Sequence, residues 1–276
     1  MAIVSGKRRD PRVDAFLVRC LSLMIVVSAA LAGLSATSAR MVQAEEHTIH
    51  EFNMANGNPY QTDGEAAADE VISRVNYSSP RPIVVALNEV CEPQYLYMLY
   101  VLTGLGYKGY QTETVFNTPR CPNRRFGNAV FVLGTVVAQY GAAFPTQTQE
   151  PTDREERDFV CLDVNLFFRQ WTGCVGHLDP SPVKYTQANE YLYLVQARFG
   201  GGRTLAAGDF NIRAGDPGLS SWYSSHRDGL GLDGTTDTGI HIDYVWADNS
   251  NTLVGTPNTV GSSSSDHRYC FATVYF

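Results

Sequence analysis

Gly208-Asp209-Phe210-Asn211 directly follows the apolar run Thr204-Leu205-Ala206-Ala207. A short apolar run bounded by glycine predicts a buried β-strand, which here ends at Asp209. A second acidic motif, Ser265-Asp266-His267, stands just before the segment Tyr269 to Phe276, which predicts a terminal strand. The two motifs place carboxylates, a carboxamide and an imidazole at strand ends. Such groups can hold a divalent metal, orient a phosphate and activate water.

Polar residues also stand at the ends of other predicted strands. Asn53 ends the first strand, Glu89 follows Leu87-Asn88, and His177 follows Cys174-Val175-Gly176, while Asp243 lies inside the strand predicted over 242–246. A carboxylate such as Glu89 in an apolar setting is costly unless it is paired, protonated or bound to a metal. Each residue alone is consistent with a turn, an ion pair or an edge strand. Their order along the chain favours one shared site.

Apolar periodicity predicts alternating strands and helices. Helices are expected over 65–75, 93–105 and 183–198. Strands are expected over 49–53, 83–87, 128–133, 158–165, 171–177, 204–209, 242–246 and 269–276. Several strands adjoin without a helix between them, which predicts antiparallel pairing, and the helices are needed to cover the outer faces of the sheets. The segment 211–240 is expected to be a long loop with a short helix near Trp222-Tyr223.

The first 44 residues predict an export signal rather than part of the fold. Basic residues precede an apolar stretch of 15 residues, Cys20 to Leu34, and small residues at Ala39 and Ala44 offer two cleavage sites. The alternative is a membrane anchor, but a spanning helix needs about 20 apolar residues. We therefore expect a signal peptide over 1–44, one domain over 45–276 and a secreted, extracellular protein without stable membrane insertion.

The charge of the chain argues against binding nucleic acid through bulk electrostatics. The chain of 276 residues has a formal net charge of −7, and removal of residues 1–44 leaves 15 basic and 26 acidic residues. A nuclease would then need a local basic strip or a metal ion. Arg154 and Arg157, or Arg124 and Arg125, could supply such a strip, although both pairs are also consistent with solvated charges.

Five cysteines remain after the leader, and an exported protein can form disulfides. Antiparallel pairing of 157–165 with 171–178 places Cys161 opposite Cys174, so a bridge is expected there. It would close a loop of about 14 residues and contribute about 3 kcal/mol in the chain-entropy model. Cys91 and Cys121 form the second expected pair, and Cys270 is expected to be a buried free thiol. A zinc site is disfavoured because no Cys-x-x-Cys spacing is present.

The ordered motifs resemble the endonuclease/exonuclease/phosphatase superfamily, which includes pancreatic-type deoxyribonuclease. The resemblance spans Ile49 to Phe276. Its carriers are Phe52-Asn53-Met54, Leu87-Asn88-Glu89-Val90, Gly127-Asn128-Ala129-Val130, Gly176-His177-Leu178, Gly208-Asp209-Phe210-Asn211, Ile242-Asp243-Tyr244-Val245 and Ser265-Asp266-His267. It implies a four-layer α/β sandwich, with two packed mixed or antiparallel sheets flanked by helices, that cleaves phosphate esters with Mg²⁺ or a similar ion such as Mn²⁺ or Ca²⁺.

The resemblance also implies roles for individual residues. Glu89 corresponds to the main metal carboxylate, with Asn53 and Asp266 nearby. Asp243 would orient His267, and either His267 or Asp209 would activate water. His177 and Asn211 would hydrogen-bond the phosphate oxygens as charge develops.

This chain departs from the superfamily pattern at three points. Asn88 stands where Gln is common, and Val175 stands where Thr is common. A second glutamate that supports the first histidine in deoxyribonucleases has no evident match, so the nearest relative is left open.

We expect a secreted, monomeric phosphodiesterase acting on extracellular DNA or RNA. A sphingomyelinase-like or inositol-phosphate-type phosphoesterase is the alternative enzyme, and a secreted toxin or binding subunit that retains the fold is the alternative class. Asp228, Asp233 and Asp237 could bind Ca²⁺, but their spacing fits no EF-hand loop.

Overall fold

Two mixed β-sheets face each other and are covered on their outer sides by helices, in a computed structural model of the chain. The structure describes residues 45–55, 64–118, 121–147, 155–166, 169–199, 203–231, 233–249, 252–253 and 258–275. The expected signal peptide and Arg154 lie outside these ranges. No helix within the described residues is long and apolar enough to cross a membrane.

The first sheet has eight strands. They are β1 (Glu46–Asn53), β2 (Pro82–Cys91), β3 (Tyr107–Gln111), β4 (Val115–Thr118), β5 (Cys121–Leu133), β12 (Thr252–Leu253), β13 (Asn258–Val260) and β14 (Tyr269–Tyr275). Their order is β12-β14-β1-β2-β5-β3, with β13 paired to β14 and β4 paired to β5.

The second sheet has six strands. They are β6 (Thr135–Ala143), β7 (Asp158–Leu166), β8 (Arg169–Gly176), β9 (Arg203–Asp209), β10 (His226–Asp228) and β11 (Asp243–Asp248). Their order is β10-β11-β9-β8-β7-β6.

The helices cover the outer face of each sheet. They are α1 (Gly64–Tyr77), α2 (Glu92–Gly104), α3 (Lys184–Phe199), a 3₁₀ turn (Pro217–Leu219) and α4 (Ser220–Ser225). One apolar cluster lies between the sheets, a second joins α1 and α2 to the first sheet, and a third joins α3 and α4 to the second sheet. The predicted four-layer α/β sandwich is thereby confirmed.

Two parallel strand pairs position the functional residues. β1 pairs in parallel with β2, and β8 pairs in parallel with β9, while the neighbouring pairs are antiparallel. Each parallel pair is joined by a helical crossover, α1 in the first sheet and α3 in the second. The carboxyl ends of both pairs carry the polar motifs: Asn53 and Asp209 end their strands, His177 directly follows β8, and Glu89 lies two residues before the end of β2.

The predicted hairpin is confirmed, and so is its disulfide. β7 and β8 pair with Cys161 directly opposite Cys174, and these two residues form a disulfide. The second expected bridge was wrong, because Cys91 and Cys121 are buried but do not form a disulfide. The Cys121 thiol donates to the Arg125 carbonyl at 3.1 Å, and the two thiols also hydrogen-bond each other. Cys270 is a buried free thiol, as expected.

Candidate active site

The end of β9 approaches the end of β8 so closely that only glycine fits between them. Gly208 has a φ of +130°, and a Cβ there would lie 2.0 Å from the Gly176 carbonyl oxygen. Any side chain at position 208 would therefore push the two strands apart. Gly208 thus allows Asp209 to lie next to His177, which follows Gly176.

Asn88 fixes this junction from the opposite sheet. Its Oδ1 accepts from the Asp209 backbone amide at 2.8 Å, and its Nδ2 donates to the Gly176 carbonyl at 3.2 Å and to Asn128 Oδ1 at 2.8 Å. Asn88 is fully buried, so these bonds replace the water it has lost. The asparagine that departs from the superfamily pattern therefore connects both sheets behind the site.

Asp209 is the centre of the site. Its Oδ2 lies 3.1 Å from Asn53 Nδ2, 3.7 Å from His177 Nε2 and 3.8 Å from His267 Nε2. Its Oδ1 accepts from the Asn211 backbone amide at 2.7 Å. Burial, followed by repulsion from the Asp243 carboxylate, raises the pKa of Asp209 to about 7. Near neutral pH this carboxyl group can therefore both release and accept a proton.

His267 is held by Asp243, as the sequence predicted. Its Nδ1 lies 2.9 Å from Asp243 Oδ2, and Asp243 is fully buried. Burial alone would lower the pKa of His267, but the Asp243 carboxylate and its hydrogen bond, with Asp209 and Glu51, raise the pKa well above the usual value. His267 therefore carries a proton while its Nε2 faces Asp209.

His177 has the opposite electrostatic setting. Burial, followed by the charges of Arg157 and His267, holds the pKa of His177 well below its usual value. Arg157 Nη1 lies 3.0 Å from His177 Nδ1, and Glu155 Oε1 lies 3.9 Å from the same ring nitrogen. The neutral imidazole can accept a hydrogen bond from Arg157. Asp209 thus lies between two histidines whose pKa values are shifted in opposite directions.

Glu155 was not identified from the sequence, and Arg157 was considered there only as part of a basic strip or as a solvated charge. Arg157 is 6% exposed and contacts His177, so the solvated-charge interpretation was wrong for it. Glu155 Oε1 lies 3.4 Å from Arg157 Nη1 and 3.9 Å from His177 Nδ1. His177 is the histidine for which the sequence showed no supporting glutamate. The hairpin register could have indicated both residues, because pairing Cys161 with Cys174 also brings the residues just before β7 next to His177.

Glu89 lies in a distortion between β2 and β5. The register shifts between Leu87 and Val90, and Glu89 has a φ of 56°. Such bulges redirect side chains next to active sites. Asn53 Nδ2 lies 3.4 Å from Glu89 Oε1, while Asn53 Oδ1 accepts from the Ala55 amide at 2.9 Å. Asn53 therefore directs its amino group towards the carboxylates of both Glu89 and Asp209.

Two sets of residues have the chemistry to hold a divalent ion. Glu89 and the exposed Asp266 carry the hard oxygen atoms that Mg²⁺ prefers, whereas Asn53, predicted as a third ligand, turns its amino group towards Glu89 and its Oδ1 towards the Ala55 amide. Separately, ligand atoms of Asp209, Asp243 and His267 lie within 4.8 Å of one another, the only such group of three found within the described ranges. The two sets meet at Asn53, which bonds to Asp209.

Other sequence hypotheses do not extend the site. Arg125 Nε lies 3.1 Å from Glu113 Oε2 and is therefore paired. His241 Nε2 lies 3.2 Å from Asp228 Oδ2, and its Nδ1 contacts the Asp233 carbonyl oxygen at 2.7 Å. His241 therefore organises the loop in which Ca²⁺ binding was considered.

The sequence profile of the Endonuclease/Exonuclease/phosphatase family matches residues 51–267, the span that contains every residue of this site. The chain belongs to that family. The curated proteins give no sequence match.

Solved structures share the fold of this family domain. The endonuclease/exonuclease/phosphatase from Bacteroides vulgatus has a TM-score of 0.68 at 13% identity, covering 83% of this chain and 98% of that one. The human Nocturnin catalytic domain with bound sulfate has a TM-score of 0.67 at 17% identity, covering 84% of this chain and 94% of that one. D. rerio TDP2 complexed with single strand DNA product has a TM-score of 0.63 at 15% identity, covering 83% and 99%.

The family domain also buries a carboxyl group, Glu51, behind the site. Glu51 is 0% exposed and lies opposite Cys270 in the β1–β14 register. Among the described residues, the Cys270 thiol is the one hydrogen-bond donor near its carboxyl group. Burial, followed by repulsion from Asp243, raises the pKa of Glu51 well above its ordinary value of 4.5. The folded state therefore binds this proton more tightly than the unfolded state.

Glu51→Gln is expected to stabilise the protein relative to wild type increasingly as pH rises above about 5. The contribution of Glu51 is fully present below its unfolded pKa of about 4.5 and is lost as pH rises through the folded pKa. Urea unfolding should thus show the variant gaining stability over wild type between pH 5 and pH 8, whereas the exposed Glu65→Gln should show no such trend. A wild-type-to-variant difference that is independent of pH would contradict the argument.

Proposed function

We propose that this protein is a metal-dependent phosphoric ester hydrolase that cleaves phosphodiester bonds in DNA or RNA. The observation that carries the proposal is the geometry around Asp209: its Oδ2 lies 3.7 Å from His177 Nε2 and 3.8 Å from His267 Nε2, with Asp243 bonded to the far side of His267. This set contains an acceptor for a proton from water and a donor for a charged phosphate oxygen. Family membership makes phosphate ester hydrolysis the expected chemistry.

The charge distribution supports Asp209, rather than His267, as the group that would remove a proton from the attacking water. Asp209 titrates near neutral pH, which suits a general base, whereas His267 already holds its proton. His267 and Arg157 would then stabilise negative charge on the phosphate. Asn211 Nδ2 donates to the Leu178 carbonyl at 2.9 Å, which leaves one N–H for the predicted phosphate contact.

Glu89 and Asp266, with Asn53 beside them, would hold a divalent ion such as Mg²⁺. When bound, that ion would neutralise charge on the phosphate oxygens and so lower the barrier to attack of water on phosphorus. The mature chain carries 15 basic and 26 acidic residues, so a polyanionic substrate gains little from the overall charge. A cation at the site would therefore contribute to substrate binding as well as to catalysis.

Two of the structures with the same fold support a phosphate-containing substrate. D. rerio TDP2 was solved with a single strand DNA product, and the Nocturnin domain was solved with a sulfate anion. Sulfate has the tetrahedral shape and charge of a phosphate group. Both observations concern those proteins and make nucleic acid a reasonable first substrate to test here.

A substrate panel tests the proposal. Purified protein would be incubated with plasmid DNA, RNA, sphingomyelin, inositol phosphates and phosphomonoesters, each with Mg²⁺, Mn²⁺, Ca²⁺ or chelator. We expect metal-dependent cleavage of DNA or RNA. Turnover of sphingomyelin, inositol phosphates or phosphomonoesters alone would replace the nuclease assignment, and no turnover of any substrate would favour a binding or toxin subunit.

We also propose that the protein is exported and that its leader is removed. The basic residues followed by the apolar stretch Cys20 to Leu34 support this, and so does the Cys161–Cys174 disulfide. Mass spectrometry of secreted protein is expected to give an N-terminus at Arg40 or Glu45. Retention of the apolar stretch would contradict cleavage and indicate an anchor.

A further inference from the structure

Asp266 and His267 directly follow Gly261–Ser265 in the chain, and this stretch is here called the serine segment. Within it no residue belongs to a helix or strand. Irregular backbone is held in place only by the side-chain and loop contacts that it makes. Asp266 and His267 are also held by the loop that pairs with them, since Thr236 bridges to His267 and the Asp237 amide donates to the Asp266 carbonyl at 2.9 Å. The contacts of the serine segment are therefore the second support for the position of both site residues.

One carboxylate on α1 binds it. Glu70 Oε2 accepts from the Ser262 hydroxyl at 2.6 Å and from the Ser264 hydroxyl at 2.8 Å. The other oxygen, Oε1, lies 3.2 Å from Arg74 Nη2, one helical turn further along. The Glu70 side chain is 15% exposed, so water competes only weakly for these bonds.

The contacts continue from the serine segment to the site. The backbone amide of Ser264 donates to Ser262 Oγ at 3.0 Å, which holds the Ser262 hydroxyl against the backbone two residues later. Ser265 Oγ donates to the Asn53 carbonyl at 2.7 Å and accepts from the His267 amide at 3.0 Å. Glu70 and Asn53 thus hold two successive points of one segment, immediately before Asp266.

α1 provides a rigid base for this carboxylate. Val71 and Val75 are fully buried against the first sheet, so the helix cannot shift without disturbing the core. Hydrogen bonds from hydroxyls to an ionised carboxylate are short and stronger than neutral ones. Two of them on one oxygen favour a single arrangement of the serine segment.

We propose that Glu70 is a positioning residue of the active site: its carboxylate holds the serine segment so that Asp266 and His267 stay in place for metal binding and catalysis. Glu70 lies 196 positions before Asp266 in the chain and touches none of the reacting groups named above. Its effect would therefore pass through the serines. The inference rests on the proposed function, since it assumes that Asp266 and His267 act on a phosphodiester.

The test compares variants in hydrolysis of bis(4-nitrophenyl) phosphate while Mg²⁺ is titrated. Outer partners of metal ligands typically contribute about 10- to 100-fold to metal affinity or activity. Glu70→Ala is therefore expected to lower kcat/KM by about that factor and to raise the Mg²⁺ concentration for half-maximal activity. Glu70→Gln, which keeps an acceptor oxygen, should recover part of the loss. Ser263→Ala, an exposed neighbour within the same segment, is the matched control and should behave as wild type.

Removing the serines identifies the route of the effect. The double variant Ser262→Ala/Ser264→Ala should reproduce the loss, and adding Glu70→Ala to it should lower activity little further. This double variant leaves α1 intact, so it tests the proposal even where Glu70→Ala unfolds. Wild-type Mg²⁺ dependence in the folded double variant, or fully additive losses in the triple variant, would overturn the inference. Inactive wild-type protein, or an active His267→Ala variant, would instead refute the proposed function.

Discussion

Replacing His177 or His267 with alanine is expected to lower the rate of phosphodiester hydrolysis by roughly 10²- to 10³-fold, the usual cost of one preorganised transition-state donor. Both imidazoles face the same oxygen of Asp209, at 3.7 and 3.8 Å. His177 is buried beside Arg157 and His267 is paired with the buried Asp243, so each variant is expected to lose some stability and rates are compared below its thermal melt. Initial rates with Mg²⁺ on the substrate identified by the panel provide the measurement.

The two histidine changes should also combine far less than additively, because both side chains act on one reacting phosphate. His47→Ala is a suitable control, since His47 is also buried but lies at the opposite, N-terminal end of β1. Its activity should match wild type even where its stability falls. Near-normal rates in either His177→Ala or His267→Ala would show that family membership does not extend to this mechanism.

Glu89→Gln is expected to weaken both activity and metal dependence. The substitution removes the negative charge and keeps the shape of the side chain. The glutamine oxygen can still accept from Asn53 Nδ2, which lies 3.4 Å from Glu89 Oε1. The Mg²⁺ concentration for half-maximal activity should rise, and the maximal rate should fall by about 10-fold or more. A Mg²⁺ titration of initial rates measures both.

The matched control for Glu89 is Glu92→Gln, three residues later in the chain. The Glu92 carboxylate lies 3.9 Å from Arg125 Nε and is separate from the Asp209 cluster. It should leave the Mg²⁺ titration unchanged. Equal titration curves for Glu89→Gln and wild type would contradict the role assigned to Glu89.

The parts of the fold that local patterns could predict are those with buried strands. β2 and β9 carry runs of buried apolar residues, and the hairpin of β7 and β8 followed from two adjoining strand patterns, which also gave the Cys161–Cys174 pair. β3 and β6 were missed. Both stand at a sheet edge, and β6 is largely exposed, so neither has the apolar alternation that marks a half-buried strand.

The same distinction applies to the site. Residue types at strand ends were sufficient to group Glu89, His177, Asp209 and His267, which the structure brings around Asn53 and Asp209, while their catalytic roles stay predictions. Arg157 could not be distinguished from a surface charge, because its burial depends on how the start of β7 packs against His177. Glu70 shows no local pattern, since its hydroxyl partners lie near the other end of the chain. Contacts between distant segments are set by tertiary packing, which periodicity does not report.

The most direct test of the central claim is cleavage of supercoiled plasmid DNA and of RNA by wild type and by Asp209→Asn, each with Mg²⁺ or with chelator. Asparagine keeps the size of the side chain and its contact with the Asn211 amide but cannot accept a proton from water. The account predicts that wild type with Mg²⁺ cleaves at least one of the two nucleic acids, that chelator abolishes this cleavage, and that the folded Asp209→Asn variant is slower by at least about 100-fold. Cleavage by Asp209→Asn at the wild-type rate, or cleavage of neither nucleic acid by wild type, would contradict it.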